Sequence, residues 1–177
     1  TNQNELTMKK YLLLIAVVAV LAGCSKHEVV DTPGLEGIAT KTYSMSVPLV
    51  AGQNDTIGTV SFYDPTDGNG GPLEVTYSLT GGWTMSESHV YAGATEPMPT
   101  NNPGSPKIGK FPYQETHADV TTYTYYIPLD ENVDMGDFAI AAHAVVSNNG
   151  SETAWASGDE TFNDKGWGTY ITNFYTV

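Results

Sequence analysis

From Tyr43 onward, apolar residues recur at every second position in short runs set apart by glycine, proline, asparagine and aspartate. That period marks half-buried β-strands. Tyr43, Met45, Val47 and Leu49 make the first run, and Ile57 to Tyr63 (IGTVSFY) a second. After a turn-rich stretch, Asp64 to Pro72, comes the clearest strand: Leu73, Val75, Tyr77 and Leu79 share one face, with Glu74, Thr76 and Ser78 on the other. Gly81-Gly82 leads into Trp83 to Tyr91 (WTMSESHVY), where strict alternation puts Trp83, Met85, His89 and Tyr91 together. Two glycines between alternating runs predict a two-residue hairpin turn, because such turns need positive φ. Ala92 to Gly109 carries Pro97, Pro99, Pro103 and Pro106 and reads as a long surface loop.

Thr121 to Leu129 alternates again, with Tyr123, Tyr125, Ile127 and Leu129 on one side. Tyr125 and Tyr126 are adjacent, so they point to opposite faces and one of them is expected in solvent. Asp130 to Asp137 (DENVDMGD) is an acidic turn. Phe138 to Val146 (FAIAAHAVV) is apolar on both faces, as a central strand covered twice would be. Ser147 to Gly150 reads as a turn, Glu152 to Ala156 as a short strand, and Thr169 to Val177 as a closing strand. No helical period is sustained after residue 24. The pattern predicts one all-β domain over 43–177, an antiparallel β-sandwich of about eight or nine strands, with immunoglobulin-like and jelly-roll topologies both open.

Upstream the pattern is different. Met8-Lys9-Lys10 is a basic start, and Tyr11 to Ala22 (YLLLIAVVAVLA) is an uncharged apolar run. It is shorter than the roughly 20 residues a spanning helix needs and has the layout of a secretory signal. Thr1 to Thr7 precedes Met8, the plausible initiator, and is left out of the fold reading. The run closes on Leu21-Ala22-Gly23-Cys24, which resembles the lipobox of bacterial lipoproteins. That resemblance implies a signal over residues 1–23, cleavage after Gly23 and lipidation of Cys24. Ser25 to Lys41 (SKHEVVDTPGLEGIATK) is polar, carries Pro33, Gly34 and Gly37 and sustains no period, so 24–42 reads as the lipidated cysteine and a flexible spacer. More than one acyl chain gives stable membrane anchoring, so the implied setting is the cell envelope, on the outer membrane.

The formal charge of the whole chain is −13, and it contains seven lysines and no arginine. Removing residues 1–23 takes away one acid and two lysines and leaves −14. A nucleic-acid partner is excluded on this balance, since Lys and Arg contacts to phosphate supply most of that affinity. Phosphoryl transfer is disfavoured for the same reason. With the single cysteine lipidated no disulfide forms, and the core must hold the domain, either alone or together with a metal.

The segments AGQNDTIGTVSFYD, LEVTYSL-TGGW-TMSESHVYAG, GSPKIGKFPYQETH, FAIAAHAVV, ETAWASG and KGWGTYITNFY resemble, in this order, a β-domain that recurs in secreted and surface proteins of Bacteroidota. The resemblance covers most of 43–177. It implies a β-sandwich and a surface setting, and it brings no activity and no catalytic residues.

Motif by motif, catalysis finds no support: there is no Gly-x-Ser-x-Gly, His-Glu-x-x-His or Cys-x-x-Cys, and no phosphate-cradling glycine loop. The chain reads as a non-enzyme. No cofactor is expected, with calcium left open, since loop carboxylates suit a hard cation. Asp64, Asp67 and Asn69 form one candidate group and Asp130, Asp134 and Asp137 the other, although the first fails the register of a calcium loop and both also read as solvated acidic turns. His89, His117 and His143 show no ligand spacing within one element. Asp55-Thr56-Ile57 resembles a short O-glycosylation acceptor motif. The aromatics offer the most: Trp83, Trp155, Trp167, Tyr125 and Tyr126 are candidates for a platform on which sugar rings stack.

The expectation is a lipid-anchored envelope protein that binds or adheres, with a glycan or another surface protein as ligand and the membrane as its anchor. One alternative is a structural subunit of a pilus-like assembly, for which Lys41 ahead of the first strand would be a processing site. The other is a small glycan-active hydrolase.

Overall fold

The computed structural model describes residues 41–66, 70–102, 104–129 and 134–176. The signal, Cys24, the spacer up to residue 40, and Asp67, Asn69 and Asp130 lie outside the described residues. Eight strands form one antiparallel sheet: β1 (Tyr43–Ala51), β2 (Asp55–Asp64), β3 (Pro72–Leu79), β4 (Thr84–Ala94), β5 (Tyr113–Val120), β6 (Thr122–Pro128), β7 (Phe138–Ser147) and β8 (Ser151–Ala156). Their order is β5-β4-β7-β8-β1-β2-β3-β6. Two short strands, β9 (Glu160–Thr161) and β10 (Thr169–Tyr170), pair separately. Among the described residues the only helical elements are two 3-10 turns, and no helix is long and apolar enough to cross a membrane.

The sheet nearly closes on itself, so the expected all-β sandwich is what forms. Layer β5-β4-β7-β8 joins layer β1-β2-β3-β6 through β8 and β1, which share three residue pairs from Leu49↔Ala156 to Ala51↔Ala154. On the other side the chain passes from β5 to β6 through Thr121, turning one edge strand into the other. The inner faces enclose Leu49, Val60, Phe62, Leu73, Val75, Tyr77, Met85, Val90, Ile127, Ile140 and Val146. Tyr77 crosses this core: its hydroxyl donates to the carbonyls of His89 at 3.2 Å and His143 at 3.1 Å, tying β3 to β4 and β7. Full burial pushes its phenol well above the usual tyrosine range.

Four features depart from the sequence pattern. Gly81 and Gly82 do take positive φ, 65° and 84°, but they do not close a hairpin. β3 pairs with β2 and β6, and β4 with β5 and β7, so the turn carries the chain between layers. Thr80 holds its start, with both its amide and its hydroxyl donating to the Ile57 carbonyl on β2.

Next, β4 changes phase. Met85 pairs with Val146 and Glu87 with Val145, which leaves Ser86 as a bulge. One extra residue flips every later side chain. Met85, Ser88 and Val90 therefore face inward, while His89 and Tyr91 go to the outer face, away from Met85. The segment after β10 is not a strand either. Ile171 makes one bridge to Ile140, and then Phe174 and Tyr175, adjacent residues, are both buried. A strand would send one of them outward, so the chain coils and plugs the end of the core. Finally, β5, whose sequence YQETHADV shows no apolar stripe, is a strand all the same.

Candidate functional site

β7 is covered twice, as its composition suggests. Its inward residues fill the main core, and Ala139 and Ala141 face a second, smaller cluster with Tyr91, Met98, Phe111 and Trp155. The proline-rich loop supplies Met98 and Ile108, and the segment after β8 supplies Phe162, Trp167 and Tyr170, so two connections pack onto the outer face of this layer. The alanines of β7 leave room for the large rings to reach the sheet.

Strand register lays a row across that outer face: Gln114 beside His89, His89 beside His143, His143 beside Trp155, and Trp155 beside Val50. Trp155 is wedged into it. Its ring lies 4.8 Å from His143 and 5.4 Å from Phe162, centroid to centroid, and a Cβ at Gly168 would come within 3.1 Å of it. Only its margin reaches solvent, in a cleft of about 220 Å³ lined by Val50, Gln53, Trp155, Ser157, Gly158, Trp167 and Thr169. Trp167 is half-buried and forms the open aromatic wall. The chain approaches itself so closely here that a Cβ on Gly158 would lie 2.0 Å from the Tyr170 carbonyl oxygen. Thr169 fastens the same spot, its hydroxyl donating to Ala156 and accepting from the Gly158 amide. Gln53, at φ 76°, holds a turn conformation that side chains avoid.

The structure therefore brings two of the singled-out aromatics together, Trp155 and Trp167. Trp83 packs against the main core beside the Gly81 turn, away from this cleft. Tyr125 is buried, and Tyr126 is the exposed member of its pair at 65%. Tyr126 stands opposite Glu74, which stands opposite Tyr63, 41% exposed, so a second aromatic row crosses β6, β3 and β2 on the solvent face of the other layer. Tyr63 was missed by pattern reading, since its exposure depends on which face of β2 is covered.

On the outer face beside Trp155, the Nδ1 atoms of His89 and His143 are 3.5 Å apart. His143 is buried and its Nε2 has no hydrogen-bond partner. Burial, with the neighbouring His89 adding to it, pulls His143 down to about 3. Burial also lowers His89, partly offset by Glu87. A polar cleft of about 290 Å³ opens next to His89, lined by Glu87, Gln114, Glu115 and Thr116.

His117 lies on the other face of β5, in the gap between β5 and β6. Its Nε2 is 2.8 Å from Ser88 Oγ, which is 2.7 Å from the Tyr125 hydroxyl, which in turn is 3.0 Å from the Ser88 carbonyl. All three contacts are satisfied at once when His117 donates to Ser88, Ser88 to Tyr125, and Tyr125 to the carbonyl. In that order the Ser88 proton goes to the phenol and not to the imidazole, the reverse of an activated nucleophile. Ser88 is also fully buried. Burial pushes the Tyr125 phenol up to about 12, against the lowering effect of the Ser88 bond.

Of the acidic candidates, Asp64 is fully buried and its oxygens are occupied by protein donors. Oδ1 accepts from the Thr66 amide and hydroxyl, and Oδ2 from the Tyr175 hydroxyl at 2.8 Å. Asp134 caps a 3-10 turn through the Gly136 amide, and Asp137 is exposed, its carbonyl accepting from Thr95. Among the described residues no three or more His, Cys, Asp or Glu side chains come together to hold a metal ion. Comparison with protein-family profiles, with curated proteins and with solved structures finds no match to the chain.

Proposed function

We propose that the protein is a lipid-anchored envelope protein whose β-domain binds neutral glycan chains and performs no chemistry on them. The observation that carries this reading is the cleft where Trp167 presents an aromatic wall beside Gln53, Ser157 and Thr169. A sugar ring has an apolar face that stacks on an indole and hydroxyls that bond to amide and hydroxyl side chains, the mixture that small-ligand sites use. The cleft lining carries no charge, and a chain at −13 repels uronic and sulfated glycans. Neutral polymers fit it best. Glycoside hydrolysis runs on a pair of carboxyl groups, and a cleft lined by amide, hydroxyl and aromatic side chains favours binding over hydrolysis. The anchor rests on the Leu-Ala-Gly-Cys motif, and incorporation of labelled palmitate that stops in Cys24→Ser tests it.

Affinity electrophoresis of the full chain through soluble polysaccharides tests the binding. Retardation is expected in at least one neutral polymer such as a mannan, a xylan or a β-glucan, and none in pectin or hyaluronan. Trp167→Ala is expected to weaken it at least about tenfold, the equivalent of about 1.4 kcal/mol. Migration unaffected by every neutral polymer overturns the reading. Retention that survives Trp167→Ala but is lost in Tyr126→Ala moves the binding surface to the Tyr63–Glu74–Tyr126 row, the second exposed aromatic site.

A further inference from the structure

We propose that the outer face of β2, β3 and β6 binds an extended β-1,4-linked glycan chain, as a second surface separate from the Trp155–Trp167 cleft. This rests on the neutral-glycan reading above and adds the linkage and conformation of the ligand. Among the described residues Tyr63 and Tyr126 are the two exposed large hydrophobic side chains. Register puts both in one row, with the half-buried Glu74 between them. A ring exposed singly calls for no explanation. Two rings flanking one carboxylate define a spacing.

Neighbouring strands lie about 4.7–4.9 Å apart, so positions 63 and 126, two strands apart, are separated by about 9.4–9.8 Å. Residues paired in one row leave the same face of the sheet, which offers both rings to the same side. In an extended β-1,4-linked chain each sugar is turned over relative to the one before. Alternate sugars therefore present the same face, and they repeat at close to this interval. Such a chain crossing the strands stacks two alternate sugars on the tyrosines and brings the sugar between them over Glu74. There the carboxylate accepts charge-assisted hydrogen bonds from the sugar hydroxyls. An α-1,4-linked chain coils, and its alternate sugars do not meet the row.

The next row on the same face continues the chemistry. Ser61, Thr76 and Thr124 stand side by side, with the hydroxyls of Thr76 and Thr124 2.8 Å apart. Hydroxyls both donate and accept, which matches the groups along the edge of a sugar chain. These two rows hold one carboxylate and no lysine, so a phosphate or a uronate finds no counter-charge on them. A second copy of the chain, at −13, brings like charge to a face with nothing to offset it. A neutral polyhydroxyl chain fits the face best.

The test uses the full chain carrying Trp167→Ala, which removes the aromatic wall of the cleft. It is titrated with cello-oligosaccharides of two to six sugars while the tyrosine ring signals are followed by NMR. The trisaccharide and longer chains are expected to shift Tyr63 and Tyr126 together. They should bind at least tenfold more tightly than the disaccharide, which reaches one ring at a time. Adding Tyr63→Ala or Tyr126→Ala should abolish that step, and both side chains are exposed, so the core is left intact. Maltohexaose should show no step. Either of two results overturns the proposal: both rings unmoved by cellohexaose at millimolar concentration, or an affinity that is the same from two sugars to six. With Trp167 in place its indole signal reports on the cleft separately, so failure of the cleft and failure of this face are told apart.

Discussion

The protein is expected to lose stability as the pH falls below 6.5, with His143 alone contributing about 1.4 kcal/mol per pH unit. Above that value the imidazole is neutral in both the folded and the unfolded chain. Between 6.5 and about 3 only the unfolded chain takes up the proton, so acid favours unfolding; below about 3 both forms carry it and the effect stops growing. By pH 5 the loss amounts to about 2 kcal/mol, a large part of the 5–15 kcal/mol typical of a folded domain. The cause is local. His143 is enclosed by Trp155 on β8 and by His89 on β4, with Glu87 beyond it, and none of these takes up its charge directly. Burial lowers His89 and His117 as well, so they act in the same direction. Urea unfolding at a series of pH values, read as the difference between wild type and His143→Gln, cancels the carboxylates common to both. The difference should change by more than 1 kcal/mol per unit across this window, and parallel curves would show that His143 titrates normally.

The second large effect is at the C-terminal plug. Phe174→Ala is expected to cost about 3–5 kcal/mol, the usual range for removing a buried phenyl ring. Its ring sits among Tyr43, Phe62 and Tyr175, with centroids 5.9, 6.2 and 4.7 Å away. Tyr175 also packs on Phe138 and donates to Asp64 at 2.8 Å. Tyr175→Phe keeps the ring but takes a donor from a fully buried carboxylate, a change of about 1–3 kcal/mol. Denaturant midpoints should fall in the order wild type, Tyr175→Phe, Phe174→Ala. A midpoint unmoved by Tyr175→Phe would mean that the bond to Asp64 adds nothing beyond ring packing.

These two residues also show where reading the pattern stops working. Period-2 alternation locates β1, β2, β3 and β6, because each has one face on a core and its side chains report that directly, while β7 shows as an unbroken apolar run because both its faces are covered. β5 has no such face to report. It is an edge strand with most of its side chains in solvent, so nothing in YQETHADV distinguishes it from a loop. Phe174 and Tyr175 read as half a strand, and only the coiling of the tail sends both inward. The Gly81-Gly82 turn was legible as a turn, but its partner strands were not, since sheet order is a matter of long-range pairing. In the same way the types of Trp155 and Trp167 marked them out, yet their meeting in one cleft depends on how the segment after β8 folds back. The His89–His143 contact was hidden twice, by 54 residues of separation and by a bulge that shifts the face of β4.

The central claim is that sugar binds at the Trp155–Trp167 cleft, and the three tryptophan indole N–H signals in a nitrogen-15 correlation spectrum report on it directly. On titration with an oligosaccharide cut from whichever neutral polysaccharide retards the chain, the Trp167 signal should move most and Trp155 with it, while Trp83, packed at the far turn, stays fixed. A saturable shift confined to Trp83, or no indole shift under conditions where the polysaccharide is bound, would contradict the account.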